Sequence, residues 1–207
     1  MKKALKISLL VLGILVVVPL LVLRVTGLEP RFIAPETQAY ADSGRTAGPG
    51  LWLKGDVVRE PVKNWYWVRE VDHPVREHFI MMETNTWYGI PHSVTVRLNP
   101  RGDKLYLVGT AQGARLGKEF PDGKAWWKNV MRDPRVRMKI DGKIYEMTLV
   151  LINNRDEVTG LTGRHPIQKR IGPDGSEQVT VEAHWFHVYQ RNVPEYGSES
   201  SSVSSSE

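Results

Sequence analysis

The residues of this chain best suited to chemistry lie between Phe79 and Met147, in two segments. The first, Thr84-Asn85-Thr86-Trp87-Tyr88-Gly89-Ile90-Pro91-His92-Ser93, groups hydroxyls, an imidazole and two large rings around a Gly-x-Pro turn. The second runs from Thr110 to Asn129 and places Arg115, Lys118 and Lys124 ahead of the adjacent pair Trp126-Trp127. Arginine makes bidentate contacts to phosphate and lysine supplies a point charge, so these three cations are candidates for holding a phosphate. The same residues equally suit a solvated loop, where surface charge is the default. Adjacent residues on a helix point about 100° apart. One of Trp126 and Trp127 is therefore expected in the core, and the other covers a ring or packs on a strand.

Other chemistries are poorly provided for. The chain has no cysteine, which excludes disulfides and thiolate metal sites. His184 and His187 are three apart in a predicted strand and so fall on opposite faces. His73 and His78 are five apart with Pro74 between them, which aligns them on neither a strand nor a helix. No metal site is assigned. The Gly-x-Ser-x-Gly elbow and the Gly-x-x-x-x-Gly-Lys phosphate loop are both missing. Ser93 follows His92 directly, and adjacent strand residues face opposite ways, so the two do not form a nucleophile and base.

The elements that must position these residues are predominantly strands. Strands are predicted over Leu51 to Val58, Val62 to Arg69, Glu77 to Glu83, Ser93 to Leu98, Lys104 to Thr110 and Val181 to Gln190. Asn99-Pro100-Arg101-Gly102-Asp103 reads as a hairpin turn by composition. Ala125 to Arg132 reads as a short helix, ended by Asp133-Pro134 because the residue before proline is pushed out of the helical region. Val136 to Ile140 and Lys143 to Ile152 pair across Asp141-Gly142, a strong tight-turn signal. Six or more strands with one short helix point to a small closed barrel with a helical insertion.

Over roughly Phe79 to Val158 this pattern resembles the FMN-binding split-barrel flavoproteins, in particular their deazaflavin-dependent nitroreductase and quinone reductase branch. There a strand ending in threonines leads to a basic Gly-Arg-Lys-Ser-Gly loop and then Gly-x-Pro-Arg. Gly89-Ile90-Pro91-His92 matches the last element with His92 in place of arginine, and Thr84 matches the threonines. Trp87 and Tyr88 stand where the family carries lysine and serine. The loop after the Leu105-to-Gly109 strand, followed by Trp126-Trp127, matches the family's phosphate loop and aromatic helix. The resemblance implies a split β-barrel that binds FMN or a deazaflavin. The implied cofactor contacts come from Thr84, Thr86, His92, Ser93, Arg115, Lys118, Lys124 and Trp127. In such enzymes the cofactor carries the chemistry while the protein orients it, so no catalytic acid or base is expected. Quinones or nitro compounds are the implied substrates.

The termini read differently. Ile7 to Leu23 is 17 residues without a charge, at the short edge of a bilayer span, and Val25 to Leu28 extend it if Arg24 snorkels. Lys2, Lys3 and Lys6 precede it, as they would in a signal peptide, but no small-x-small cleavage site follows. An uncleaved single-pass anchor is the expectation, with secretion by cleavage as the alternative. The basic bias leaves the amino terminus in the cytoplasm and the domain outside, in the periplasm. Lys2, Lys3, Lys6 and Arg24 account for four of the 28 basic residues, leaving 24 against 23 acidic ones. The domain is nearly neutral and lacks the footprint of a nucleic-acid binder. The expected organisation is an anchor or signal segment over 1–28, a Pro/Gly-rich linker over 29–50, a barrel domain over 51–192 and a serine-rich disordered tail over 193–207. Two functions follow: a membrane-anchored oxidoreductase acting on a small-molecule redox substrate, or a non-catalytic envelope binding and scaffold module with a degenerate site. Either is compatible with a homodimer.

Overall fold

The computed structural model describes residues 2–33, 36–43, 48–71, 79–112 and 126–193. The expected site residues Arg115, Lys118 and Lys124 lie outside the described residues, as do His73, His78 and the serine-rich tail. The elements in chain order are α1 (Lys2–Thr26), α2 (Gln38–Ser43), β1 (Gly50–Leu51), β2 (Phe79–Thr84), β3 (His92–Arg101), β4 (Lys104–Gln112), α3 (Trp126–Arg132), β5 (Arg135–Ile140), β6 (Lys143–Leu151), α4 (Arg155–Thr162), β7 (Ile167–Ile171) and β8 (Glu177–Gln190).

The strands pair in the order β3-β2-β5-β6-β8-β4, and β4 returns to β3. Six antiparallel strands thus close on themselves, while β1 adds to β3 and β7 to β8 outside the ring. The mainly β barrel with a short helical insertion, expected from the strand pattern, is what the chain forms. Closure follows from period-2 patterning. Ile80 and Met82, Val136 and Met138, Met147 and Leu149, and Phe186 and Val188 are each two apart, share the inner face of their strands and meet in one buried cluster. Closure also removes exposed sheet edges from those six strands.

The Asp141-Gly142 turn is confirmed. Both residues are left-handed, with φ of 48° and 73°, as a two-residue turn between twisted antiparallel strands requires. The turn expected over Asn99–Asp103 is shorter than its composition suggests. Pro100 pairs with Leu105 and Arg101 with Lys104, leaving Gly102-Asp103 as the connection.

Two expected strands are corrected. Val62 to Arg69 is not a strand; its second half is a 3₁₀ helix, Tyr66–Glu70. The Asn64 side chain accepts from Tyr66 N and nucleates the turn, and Trp65 and Val68, three apart, are both buried. Leu51 to Val58 is a strand only at its start. Trp52 at φ 45° breaks it, and the chain then crosses outside the barrel, with Val57 bridging Ile144 in parallel. That strap buries Ile144, which faces away from the barrel core. Three elements were not anticipated. Helix α4 is mostly polar but is capped by Asn154, whose side chain accepts from Asp156 N and Glu157 N, and Gly163 ends it in the left-handed region. Strand β7 hairpins onto β8, and α2 occupies part of the Pro/Gly-rich segment.

Helix α1 is long and apolar enough to cross a membrane, and its apolar span is not buried against the rest of the chain. It ends at Thr26, where Gly27 N donates to Leu23 O. Leu28 and Leu51 then exchange backbone hydrogen bonds of 2.7 and 2.6 Å, and Leu51 pairs with His92. Lys139 and Glu29 form an ion pair. The ends of residues 29–50 are thereby brought together on the barrel wall.

Candidate functional site

The antiparallel pairing fixes one rim of the barrel. β2 ends there at Thr84 and β3 starts there at His92, the two being paired. β4, antiparallel to β3, ends at the same rim with Gln112, and α3 packs against β2 there. The turn 85–91 and the end of β4 therefore share this rim.

At the centre of the rim, Thr84 is 1% exposed, and its hydroxyl accepts from Asn129 Nδ2 at 3.1 Å. Asn85 Nδ2 donates to Asp133 Oδ2 at 2.8 Å, and Arg132 donates to the Asn85 carbonyl. Thr86 Oγ1 donates to Ile90 O at 2.6 Å and closes the 86–90 turn. Asn129, Arg132 and Asp133 thus clamp the end of β2. The sequence reading missed them because polar residues at a helix end and before a proline look like ordinary capping. Only their distant partners reveal the clamp. Arg135 donates to Asp133 from Nε and Nη2, both at 2.8 Å, and with Asn85 holds the Asp133 carboxyl well below the usual carboxylate range.

The five expected site residues that are described divide into three groups. Thr84, Thr86 and His92 come together at the rim. Tyr88 Oη and His92 Nε2 are 2.6 Å apart, and burial lowers the His92 pKa. Ser93 sits one residue further along β3 and, as expected from alternation, on the other face. It is 2% exposed, faces Gly50 of β1, and its Oγ has no hydrogen-bond partner among the described residues. Trp127 lies against the barrel. Its ring stacks on His184 at 5.6 Å, and Gly109, paired with His184, leaves the space it fills. Trp126 is also buried, edge-on to Trp127 and tilted on Phe186. Both tryptophans therefore pack, where only one was expected to enter the core.

The outer edge of the rim is aromatic. Trp87 is 79% and Tyr88 45% exposed, the two rings meet edge-on at 5.3 Å, and Tyr88 meets His92 at 5.6 Å. Elsewhere, a cleft of ≈ 600 Å³ lies beside the β3–β4 turn, lined by Val62, Trp65, Lys104, His187, Tyr189 and Gln190 among others. His187 faces away from the core, 2.9 Å from Glu157, whereas His184 lies under Trp127. The two histidines thus occupy opposite faces of β8.

No family model and no curated protein matches the chain. Among solved structures, it is similar to a Listeria innocua protein named "Putative Pyridoxamine 5'-phosphate oxidase", at 14% identity and a TM-score of 0.31, over 56% of this chain and 90% of that one. A likeness at that level carries no argument about function, which rests on the rim itself.

Proposed function

We propose that the chain is a membrane-anchored barrel protein that holds a flavin-type cofactor, FMN or a deazaflavin, at the Thr84–His92 rim. There it would pass reducing equivalents to a small-molecule redox substrate, a quinone or a nitro compound. The observation that supports this reading is the convergence of the 85–91 turn, the end of β4 and, through Asn129 and Arg132, helix α3 on one rim. Within the rim, the buried hydroxyls of Thr84 and Thr86 shape the turn and do not reach outward. What remains for a ligand is the turn itself, beside His92, whose Nε2 meets Tyr88 Oη. Nothing lies within 4 Å of the position a Gly89 Cβ would take. In this reading, Arg115, Lys118 and Lys124 supply the phosphate contacts, and the cofactor supplies the redox chemistry. Anchoring would come from α1, with the barrel on the periplasmic side.

The second reading is a non-catalytic envelope binding module. It is favoured by the burial of Ser93 and Trp127, which leaves neither accessible to a ligand. Visible absorbance separates the two. Protein purified with its membrane fraction, and again after addition of FMN or a deazaflavin, should show a flavin band between about 370 and 450 nm or a deazaflavin band near about 420 nm. A colourless protein that gains no band with either compound supports the module.

A further inference from the structure

Helix α1 and the 85–91 turn leave the barrel at the same end. Leu28 pairs with Leu51, and Leu51 with His92. Both pairings are antiparallel, so Thr26 and Gly27, which precede Leu28, lie beyond this level on the side where the turn projects. Two neighbouring strand spacings, about 10 Å, separate Leu28 from His92 across the sheet. The apolar helix therefore terminates at the same end of the barrel as the turn that carries Trp87, which is 79% exposed.

The surroundings of that tryptophan have the composition of a lipid headgroup contact. Val25, Leu28, Trp87 and Tyr88 are exposed apolar or amphipathic side chains at this end. Cations border them. Arg24 occupies the last turn of α1, and the Lys54 side chain lies against Gly27. Tryptophan and tyrosine favour the membrane–water interface, where the ring is half solvated, and arginine or lysine beside them can reach the phosphate level. Exposed apolar side chains grouped in this way, rather than scattered singly, mark an interaction surface.

We propose that the Trp87-Tyr88 turn is an interfacial membrane contact that seats the Thr84–His92 rim against the bilayer into which α1 is anchored. This rests on the anchoring reading above and extends it. The barrel does not hang freely from its helix; a second contact fixes which end faces the lipid. A rim held this way would meet a lipid-soluble substrate directly from the bilayer.

The test uses the full chain reconstituted in phosphatidylcholine–phosphatidylglycerol vesicles, with and without brominated acyl chains. Subtracting the emission of Trp87→Phe from that of the wild type isolates Trp87, and the substitution removes an exposed ring, leaving the core intact. The expected result is a blue-shifted difference emission that loses more than half its intensity in brominated lipid and resists acrylamide. Carbonate washing of the same vesicles reports the anchor separately. Protein retained in the pellet whose Trp87 emission is quenched by acrylamide but not by bromine overturns the interfacial contact and leaves anchoring intact. A blue shift without bromine quenching means a protein surface covers the turn and also overturns it. Release of the protein by carbonate overturns both readings.

Discussion

Asn129 Nδ2 donates to Thr84 Oγ1 at 3.1 Å, joining residues 45 positions apart and tying helix α3 to the last residue of β2. Because Thr84 is buried, this bond is shielded from water, and losing it should cost about 1–2 kcal/mol. Asn129→Ala should lower the urea midpoint accordingly. A double-mutant cycle with Thr84→Val should show coupling of roughly 0.5 kcal/mol or more. Additive effects would mean that the two side chains do not act together.

The Trp127 ring packs where Gly109 has no side chain. A Cβ at position 109 would stand 2.8 Å from Trp127 Cε3 and 3.1 Å from Trp126 Cζ2. Gly109→Ala should therefore displace both rings, at a cost of about 1–3 kcal/mol from overpacking. Near-ultraviolet circular dichroism should register the altered tryptophan pair. An unchanged spectrum and midpoint would show that α3 sits elsewhere.

Gly142 has φ of 73° in the β5–β6 turn, with open space around its missing side chain. Gly142→Val should destabilise by more than about 1 kcal/mol through backbone strain alone, since a β-branched residue resists the left-handed region. Gly142→Asn, which tolerates that region better, should recover part of the loss. Thermal unfolding of the two variants gives the comparison.

Two rim groups link stability to pH with the same sign. Burial lowers the His92 pKa below 6.5, so between the folded and unfolded values the unfolded chain binds more protons. Its contribution is complete above the unfolded pKa and fades as pH falls through the folded one. Asp133, depressed by Arg135 and Asn85, contributes above 3.8 and loses that contribution at lower pH. Unfolding free energy should thus decline in two stages on acidification, and His92→Gln should remove the part of the first stage that this ring supplies. An NMR titration placing His92 above 6.5 would contradict the burial argument.

If the rim binds a phosphate-bearing cofactor through its basic connection, Arg115→Ala and Lys118→Ala should each weaken FMN or deazaflavin affinity roughly ten- to a hundredfold. Arg155→Ala, at the exposed start of α4, should leave affinity unchanged. Titration of the three variants decides; equal affinities would remove Arg115 and Lys118 from the site.

The strands and the Asp141-Gly142 turn were legible in the sequence because both depend on local rules. Alternating apolar residues must share a face, and two consecutive left-handed residues need a sequence such as Asp-Gly. The apolar α1 was legible for the same reason, as was the division of His184 and His187 between two faces. Val62 to Arg69 misled because its apparent alternation and its true spacing of three coincide over so few residues, and the Asn64 side chain settled the matter. Only tertiary structure decided which rings and hydroxyls are available. Trp127 is consumed by Gly109 and His184, Thr84 by Asn129, and Ser93 by its place beneath Gly50. Each of those outcomes depends on a partner at least 18 residues away. Barrel closure brings such partners together, and local pattern carries no information about which distant strand or helix will cover a given side chain.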